Sequence, residues 1–169
     1  MRLRPRLVLV GATAVLIVAT TPSVSQAAVS ITAPTSKNLG SAATGADTLS
    51  AQIGPVTVVA SGLIAPSFTA TVTGTVFRTG AASANETIPK AAVFYWSGPA
   101  TAFSGLLGNG TPGQANASEA ESLSVSRMAF SGQGTLLSVS ASWNPTIVIH
   151  IPAAAVAGTY SGTITHSVA

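Results

Sequence analysis

The stretch from Phe68 to Val76 alternates between small or apolar residues and threonine, and no other segment limits the possible folds as strongly. A β-strand turns successive side chains to opposite faces, whereas a helix would spread both sets around its axis. The pattern therefore predicts a strand with one face in the core and the other in water. The inward residues would be Phe68, Ala70, Val72, Gly74 and Val76, and the outward residues would all be threonine.

The same period of two occurs in three further segments. From Leu137 to Trp143 apolar residues alternate with serine, and the run stops at an Asn-Pro turn signal. The alternate isoleucines of 147–151 then share one face, with His150 on the other, and the last strand is predicted from Tyr160 to Val168. Weaker candidates are Val29–Ala33, Pro55–Ala60, Ala91–Trp96 and Leu123–Phe130, the last with a slip near Arg127-Met128 that a β-bulge would produce. The irregular stretch 98–120 predicts a long surface loop or a loosely paired excursion.

Composition supports an all-β fold that is stabilised by packing and backbone hydrogen bonds alone. The chain has no cysteine, so no disulfide contributes, and charged residues make up only 7% of it. Polarity comes mainly from serine and threonine, and threonine, valine and isoleucine favour strands. Eight or so short strands separated by turns predict a two-sheet antiparallel sandwich of Greek-key, immunoglobulin-like type, with barrel closure as the open alternative.

Residues 1–27 have the layout of a secretory signal peptide. Three arginines precede the apolar run Leu7–Ala19, and small residues follow it up to Ala27. The run is shorter than the roughly 20 apolar residues that cross a bilayer. We therefore predict cleavage after Ala27, a single secreted or cell-wall-associated domain over residues 28–169, and no membrane span in the mature chain.

The predicted mature chain has no net charge, although the full sequence is basic. Four cations balance four carboxylates: Lys37, Arg78, Lys90 and Arg127 against Asp47, Glu86, Glu119 and Glu121. The excess of positive charge belongs to the leader. Binding to nucleic acid through phosphate contacts therefore has no support in the mature domain.

Three stretches of the mature chain resemble the WxL domains of Gram-positive cell-surface proteins. They are Leu49–Val58, Phe68–Ala70 and Gly158–Val168. The resemblance implies an exported, β-rich module that attaches non-covalently to the cell wall, with peptidoglycan or a companion surface protein as its partner. The two Trp-x-Leu tripeptides of that family correspond here to Phe68-Thr69-Ala70 and His166-Ser167-Val168, so both tryptophans are replaced.

Four residues are candidates for a binding surface: Phe68, Tyr95, Trp96 and His166. The alternation places Phe68 and His166 on inward faces, which favours core positions for both, with the imidazole partly buried and hydrogen-bonded. In the run Phe94-Tyr95-Trp96 successive rings face opposite ways. Tyr95 or Trp96 is the candidate platform on which a sugar ring would stack, and burial of Trp96 is the favoured alternative.

The reactive side chains argue against catalysis. Glu119 and Glu121 are a candidate carboxylate pair, but a solvated strand edge explains their spacing better. His150 and His166 are predicted on opposite faces, which disfavours a shared metal ion. Residues 108–113 match a dinucleotide-binding fingerprint without the strand and the helix that such a site requires. We predict no enzyme activity, no cofactor and no metal.

Two functions from different classes remain. The first is a non-catalytic binding module at the cell surface or cell wall, indicated by the leader, the β-rich domain and the WxL resemblance. The alternative is a self-assembling structural subunit of an extracellular coat or fibre. It is indicated by the balanced charge and by strands that carry almost no Lys or Glu, because such edges do little to keep copies apart.

Overall fold

The computed structural model describes residues 28–43 and 48–169, and within these ranges the protein is all-β, as predicted. The predicted signal peptide, residues 1–27, lies outside the described residues. Three short 3-10 turns interrupt the strands, at Ala84–Glu86, Lys90–Ala92 and Ala117–Glu119. In the described part of the chain no helix is long and apolar enough to cross a membrane.

The described ranges contain fourteen strands. The first seven are β1 (Ala28–Thr32), β2 (Thr48–Gln52), β3 (Val56–Ile64), β4 (Ser67–Gly74), β5 (Phe77–Arg78), β6 (Thr87–Ile88) and β7 (Val93–Trp96). The other seven are β8 (Ala100–Gly105), β9 (Asn109–Pro112), β10 (Glu121–Ser122), β11 (Arg127–Gln133), β12 (Leu136–Trp143), β13 (Thr146–His150) and β14 (Ile164–Val168).

Twelve of these strands form three four-stranded antiparallel sheets. The first sheet has the order β1-β3-β12-β8, the second β10-β7-β13-β2 and the third β14-β4-β11-β9. The remaining two, β5 and β6, pair only with each other. Most neighbours in a sheet are far apart in sequence, so the core closes only when distant segments meet.

The first and third sheets share one long bent ladder. Two residues, Ala65 and Pro66, separate β3 from β4, and two residues, Gly134 and Thr135, separate their partners β11 and β12. Backbone bonds cross this gap: the Ala65 amide donates to the Thr135 carbonyl at 2.9 Å, and the Gly134 amide donates to the Pro66 carbonyl at 2.8 Å. Each chain segment therefore passes from one sheet to the other by bending at these four residues, which we call the bend.

One apolar core joins the inward faces of all three sheets. Trp143 from the first sheet, Tyr95 from the second and Phe130 from the third are fully buried. The rings of Phe130 and Trp143 stack with centroids 4.9 Å apart and an interplanar angle of 16°. No disulfide links the described residues, so removal of this apolar surface from water is the main term that favours the fold.

Several sequence predictions are confirmed in detail. Along β4 the inward side chains are buried and most threonines face solvent. In β13 the isoleucines at 147 and 149 are buried and His150 is exposed. The slip expected near Arg127-Met128 is a register shift between Met128 and Phe130.

The prediction that Leu137 faces the core is wrong, because its side chain is 70% exposed. The pairing of β12 with β3 shifts register between Leu136 and Ser138, and Leu137 has a φ of 65°. A bulge of this kind re-aims a side chain and breaks the strict alternation. Beyond it, Val139, Ala141 and Trp143 are buried as expected.

Two predicted boundaries are also corrected. The last strand begins at Ile164 and not at Tyr160; before it, Ser161 forms only an isolated bridge with Arg78. The stretch 98–120 is not a loop throughout, because it contains β8 and β9. Its glycines allow close packing: a Cβ on Gly110 would lie 2.8 Å from the Phe103 ring.

Candidate binding site

The structure brings together the two tripeptides that correspond to the WxL motif. They lie on the neighbouring strands β4 and β14, where His166 is opposite Val72 and Val168 is opposite Ala70. At the end of the pair, Thr69 and Ala169 exchange two backbone hydrogen bonds of 2.8 and 3.1 Å. Residues nearly 100 positions apart in sequence therefore form one local unit at the edge of the third sheet.

The aromatic members of these tripeptides face inward. Phe68 is 3% exposed, and its ring lies directly over Gly132 on β11. His166 is half-buried. Phe68 is a core residue as expected, and the expectation of a partly buried imidazole that bonds to a hydroxyl or a carbonyl is met by the Tyr95 hydroxyl.

A buried chain of hydrogen bonds connects Trp143, Tyr95 and His166. The indole Nε1–H of Trp143 donates to the Tyr95 hydroxyl at 3.1 Å, and this hydroxyl lies 3.2 Å from Nε2 of His166. Because an indole N–H can only donate, the phenol oxygen accepts that bond and has its own hydrogen left for the imidazole. Nε2 is then the acceptor, which places the proton of the neutral imidazole on Nδ1.

Burial fixes the protonation state of both ionisable members. It lowers the pKa of His166 from 6.5 to about 4, because the charged imidazolium would lose its hydration. It also raises the pKa of the Tyr95 phenol well above its ordinary value, and the bond from Trp143 opposes this only in part. Both groups are neutral at pH 7, so the three side chains form a set of matched donors and acceptors that runs from the core at Trp143 to the half-buried His166.

The aromatic run on β7 is oriented differently from the favoured prediction. Tyr95 is fully buried and cannot be a stacking platform, and it is Trp96 that is half-buried on the other side of the strand. The reason is that β7 turns Val93 and Tyr95 toward the core. Trp96 packs beside Gly98, where a Cβ would lie 3.4 Å from its ring. The structure separates Trp96 from the other three candidates, which lie on or near the core.

The solvent face of the third sheet has a feature that the sequence only partly indicated. Ten uncharged polar side chains share this face across four adjacent strands, and we call it the hydroxyl face. Its members are Ser67, Thr69, Thr71, Thr73, Asn109, Thr111, Ser131, Gln133, Thr165 and Ser167. None of these side chains forms a hydrogen bond with another side chain or backbone group of the described residues. Eight of the ten residues are exposed, and Thr71 and Ser131 are half-buried.

A shallow cavity of about 310 Å³ lies on the hydroxyl face near the bend. Its polar lining comes from β4, β9 and β11, and the C-terminal residue Ala169 closes one side. Phe68 forms part of the lining, although most of its ring is in the core. Sequence reasoning missed the contribution of β9. The alternation of Asn109 and Thr111 around Gly110 was the available signal.

The acidic pair considered for catalysis has structural partners instead. Glu121 lies 3.2 Å from Arg127 and accepts a hydrogen bond of 2.9 Å from the Gln114 amide. Glu119 ends a 3-10 turn and accepts bonds from the Ala115 amide and the Asn116 side chain. The expected solvated strand edge is therefore wrong for Glu119. Among the described residues no group of three or more His, Cys, Asp or Glu side chains is arranged to hold a metal ion.

The geometry therefore brings ten uncharged polar side chains together on one face of the third sheet, above a buried apolar core. Comparisons with protein families, with curated proteins and with solved structures found no match for this chain.

Proposed function

We propose that this protein is an exported, non-catalytic binding module of the cell surface, and that it holds cell-wall glycan on the hydroxyl face. The observation that carries the proposal is the set of ten uncharged polar side chains on adjacent strands of one sheet. Export and cleavage after Ala27 are part of the same proposal. So is the interpretation of the first and third sheets as the two layers of a β-sandwich.

The chemistry of the hydroxyl face suits a polysaccharide. Sugar hydroxyls both donate and accept hydrogen bonds, and so do serine, threonine, asparagine and glutamine side chains. Serine and threonine lose little rotamer freedom when a ligand immobilises them. Bridging waters extend such contacts at small cost. Charged side chains would lose their hydration when a neutral glycan covered them, and a face without charged groups avoids this cost.

The regular spacing of a sheet favours an extended polymer over a small ligand. Alternate residues along a strand are about 6.8 Å apart, and neighbouring strands lie about 4.8 Å apart. The hydroxyl face therefore repeats similar groups in two directions, as a polysaccharide does along its length. Each contact is weak, and the affinity comes from their number.

The test is cosedimentation of the purified mature chain with isolated Gram-positive cell walls, with and without competing glycan. The double variant Thr69→Val/Thr111→Val removes two hydroxyls and keeps side-chain shape. It should bind about tenfold more weakly, because two hydrogen bonds of about 0.7 kcal/mol each are lost. The matched control Thr48→Val changes an exposed threonine on β2, in the second sheet.

The outcomes separate the function from its location. If the unchanged protein stays in the supernatant, wall binding is rejected. If it sediments and the double variant sediments equally well, the module binds walls through another surface. Equal weakening by Thr48→Val would mean that the loss is not specific to the hydroxyl face.

A second candidate function is self-assembly into a coat or fibre, favoured by the apolar side chains on the surface. Nine large apolar residues of the described chain are at least 40% exposed. Residues 28–169 contain equal numbers of positive and negative charges, so long-range repulsion between copies is weak. Sedimentation velocity over a concentration series checks this candidate, and a strictly monomeric protein at the highest concentration would remove it.

A further inference from the structure

Five exposed aliphatic residues gather beside the bend, and we call them the apolar tip. They are Ile64, Leu106, Leu107, Leu136 and Leu137, with exposed fractions between 46% and 88%. Their backbones are adjacent: Ile64 pairs with Leu136, and the Thr135 amide donates to the Leu106 carbonyl at 3.0 Å. Contiguous exposed apolar surface of this kind is typical of an interaction site.

The backbone of the apolar tip is strained in a way that keeps its side chains outward. Leu107 has a φ of 47° and Leu137 has a φ of 65°, and Ala65 in the neighbouring bend has a φ of 46°. A left-handed conformation costs an ordinary residue about 1–2 kcal/mol, so glycine or asparagine is usual in such turns. Leucine gives these turns no conformational benefit. The leucines contribute exposed apolar surface.

A groove with an apolar floor lies elsewhere on the same molecule. Its volume is about 660 Å³, and its floor includes Phe77, Ile88, Ile149, Ile151 and Tyr160. Residues 35–43 form one wall and residues 155–159 and 161–162 form the other. Of the lining residues that the structure describes, Lys37 is the one that carries a charge. The volume is about four times that of a cavity that accepts benzene, so it accommodates several aliphatic side chains.

The apolar tip and the groove lie at opposite ends of the third sheet. Ser67 of β4 pairs with Gln133 next to the bend, whereas Gly74 at the other end of β4 pairs with Ile164 of β14. The groove residues 158–162 directly precede Ile164, and Phe77 follows Gly74 by three positions. One chain therefore cannot insert its own tip into its own groove without refolding.

We propose that the apolar tip of one copy inserts into the groove of a second copy, so that the chain assembles head to tail. This inference rests on the second candidate function and names the two surfaces that carry it. The tip exposes aliphatic side chains that gain free energy when they are removed from water, and the same chain offers a groove with an apolar floor that can cover them. Because the two surfaces differ, the contact is heterologous and leaves a free tip and a free groove after each addition.

The absence of cysteine from the chain makes this contact accessible to a site-specific cross-linking test. Leu107→Cys places a thiol on the tip, and Ala157→Cys places one at the exposed groove wall. Mixed in equal amounts and oxidised gently, the two single variants should form the 107–157 heterodimer at least about fivefold faster than either homodimer. A chain with both substitutions should form a ladder of oligomers. In the control, Val125→Cys takes the place of Leu107→Cys in the same mixture. Val125 is exposed but lies in neither surface, so its heterodimer with Ala157→Cys should not form faster than the homodimers.

The matching substitution test uses Leu107→Asp, with Val125→Asp as its control. Leu107→Asp should weaken self-association about tenfold or more in sedimentation equilibrium, and Val125→Asp should leave it unchanged. Cosedimentation with cell walls should be the same for both variants as for the unchanged protein, so this result does not depend on the hydroxyl face.

Four outcomes would overturn the inference. Association that survives Leu107→Asp would place self-assembly on other surfaces and leave the second candidate function standing. Predominant 107–107 homodimers would indicate a symmetric tip-to-tip contact. A strictly monomeric protein would reject both the inference and the second candidate. Flotation with neutral phosphatidylcholine vesicles that is lost in Leu107→Asp would assign the tip to a lipid surface instead.

Discussion

At the scale of single residues, the polar atoms of Trp143, Tyr95 and His166 are what make a mixed aromatic core possible. An unpaired indole N–H or phenol hydroxyl in this position would cost roughly as much as a lost hydrogen bond and its desolvation. Here each donor has an acceptor, at 3.1 and 3.2 Å. These hydrogen bonds join all three sheets, since Trp143, Tyr95 and His166 belong to β12, β7 and β14.

Removal of the central hydroxyl should therefore be costly. Tyr95→Phe leaves the Trp143 N–H and the His166 Nε2 without a partner, and we expect a loss of about 2–4 kcal/mol in the free energy of unfolding in urea. The control is Tyr160→Phe, whose hydroxyl also donates to backbone carbonyls but lies near the surface. It should lose less than about 1 kcal/mol. Equal losses would contradict the role given to the buried chain.

The hydrogen bonds that link Trp143, Tyr95 and His166 also predict that stability depends on pH. The pKa of His166 is about 4 in the folded protein and 6.5 without the fold, so between these values the unfolded state binds more protons. The contribution of neutral His166 to the free energy of unfolding is fully present above pH 6.5. It is lost as the pH falls toward 4, and the loss is at most about 3 kcal/mol. Tyr95, the ionisable group in contact with His166, stays neutral throughout.

Urea unfolding at several values of pH between 4 and 7 measures this slope. His166→Gln keeps an acceptor for Tyr95 and has no titration in the range, so the slope should become smaller. His150→Gln removes the exposed histidine of β13 and should retain it. A slope that disappears only in His150→Gln would refute the assignment.

At the scale of elements, sequence alternation identified strands well where both faces have one consistent environment. β4 is the example: Phe68 and Val72 pack in the core, Thr69 and Thr73 are exposed, and Thr71 is half-buried. The alternation failed at Leu137, because a register shift that depends on the partner strand inverts the face there. It also missed β8 and β9, whose pairing with β12 and β11 is not local.

In the candidate site, too, alternation predicted the faces of single strands but not the arrangement of distant strands. The sequence placed Phe68 and His166 on inward faces correctly, but it could not state that they lie on neighbouring strands. Nor could it choose between Tyr95 and Trp96, because alternation separates the two faces of a strand without saying which is the core. The hydroxyl face depends on the order β14-β4-β11-β9, which only the pairing of distant strands sets.

The pairing of β4 with β11 depends on close contact at one glycine. Gly132 is opposite Phe68, and a Cβ there would lie 2.4 Å from the Phe68 ring. Gly132→Ala should therefore lower the free energy of unfolding by about 1–3 kcal/mol, because the ring has to move within a packed core. Gly134→Ala is the matched control, since its Cβ would meet its nearest atom at 3.5 Å.

Thermal unfolding followed by circular dichroism compares the two variants. Gly134→Ala should stay within about 0.5 kcal/mol of the unchanged protein. If both substitutions are equally mild, Phe68 has room to move and the contact with Gly132 does not fix its position.

At the scale of the whole molecule, the surface separates uncharged polar groups from apolar groups and uses few charges for either. The hydroxyl face covers one side of the third sheet, and the apolar tip projects beside it at the bend. The ion pair between Glu121 and Arg127 lies outside both regions. Because the two surfaces are separate, the two proposals are compatible: a chain that holds a glycan on the hydroxyl face would still have its tip free for a second copy.

The scarcity of charge gives the head-to-tail contact a distinctive response to salt. The apolar tip has no ionisable side chain, and among the described residues that line the groove Lys37 is the one charged side chain, so screening has little to act on. The dissociation constant should change less than about twofold between about 0.05 and 0.5 M sodium chloride. Sodium sulfate at equal ionic strength should tighten the contact, because excluded salts strengthen apolar burial.

Sedimentation equilibrium measures both effects, with Leu107→Asp as the variant in which sulfate should have much less effect. Weakening by sodium chloride would mean that charges outside the tip and groove hold the copies together.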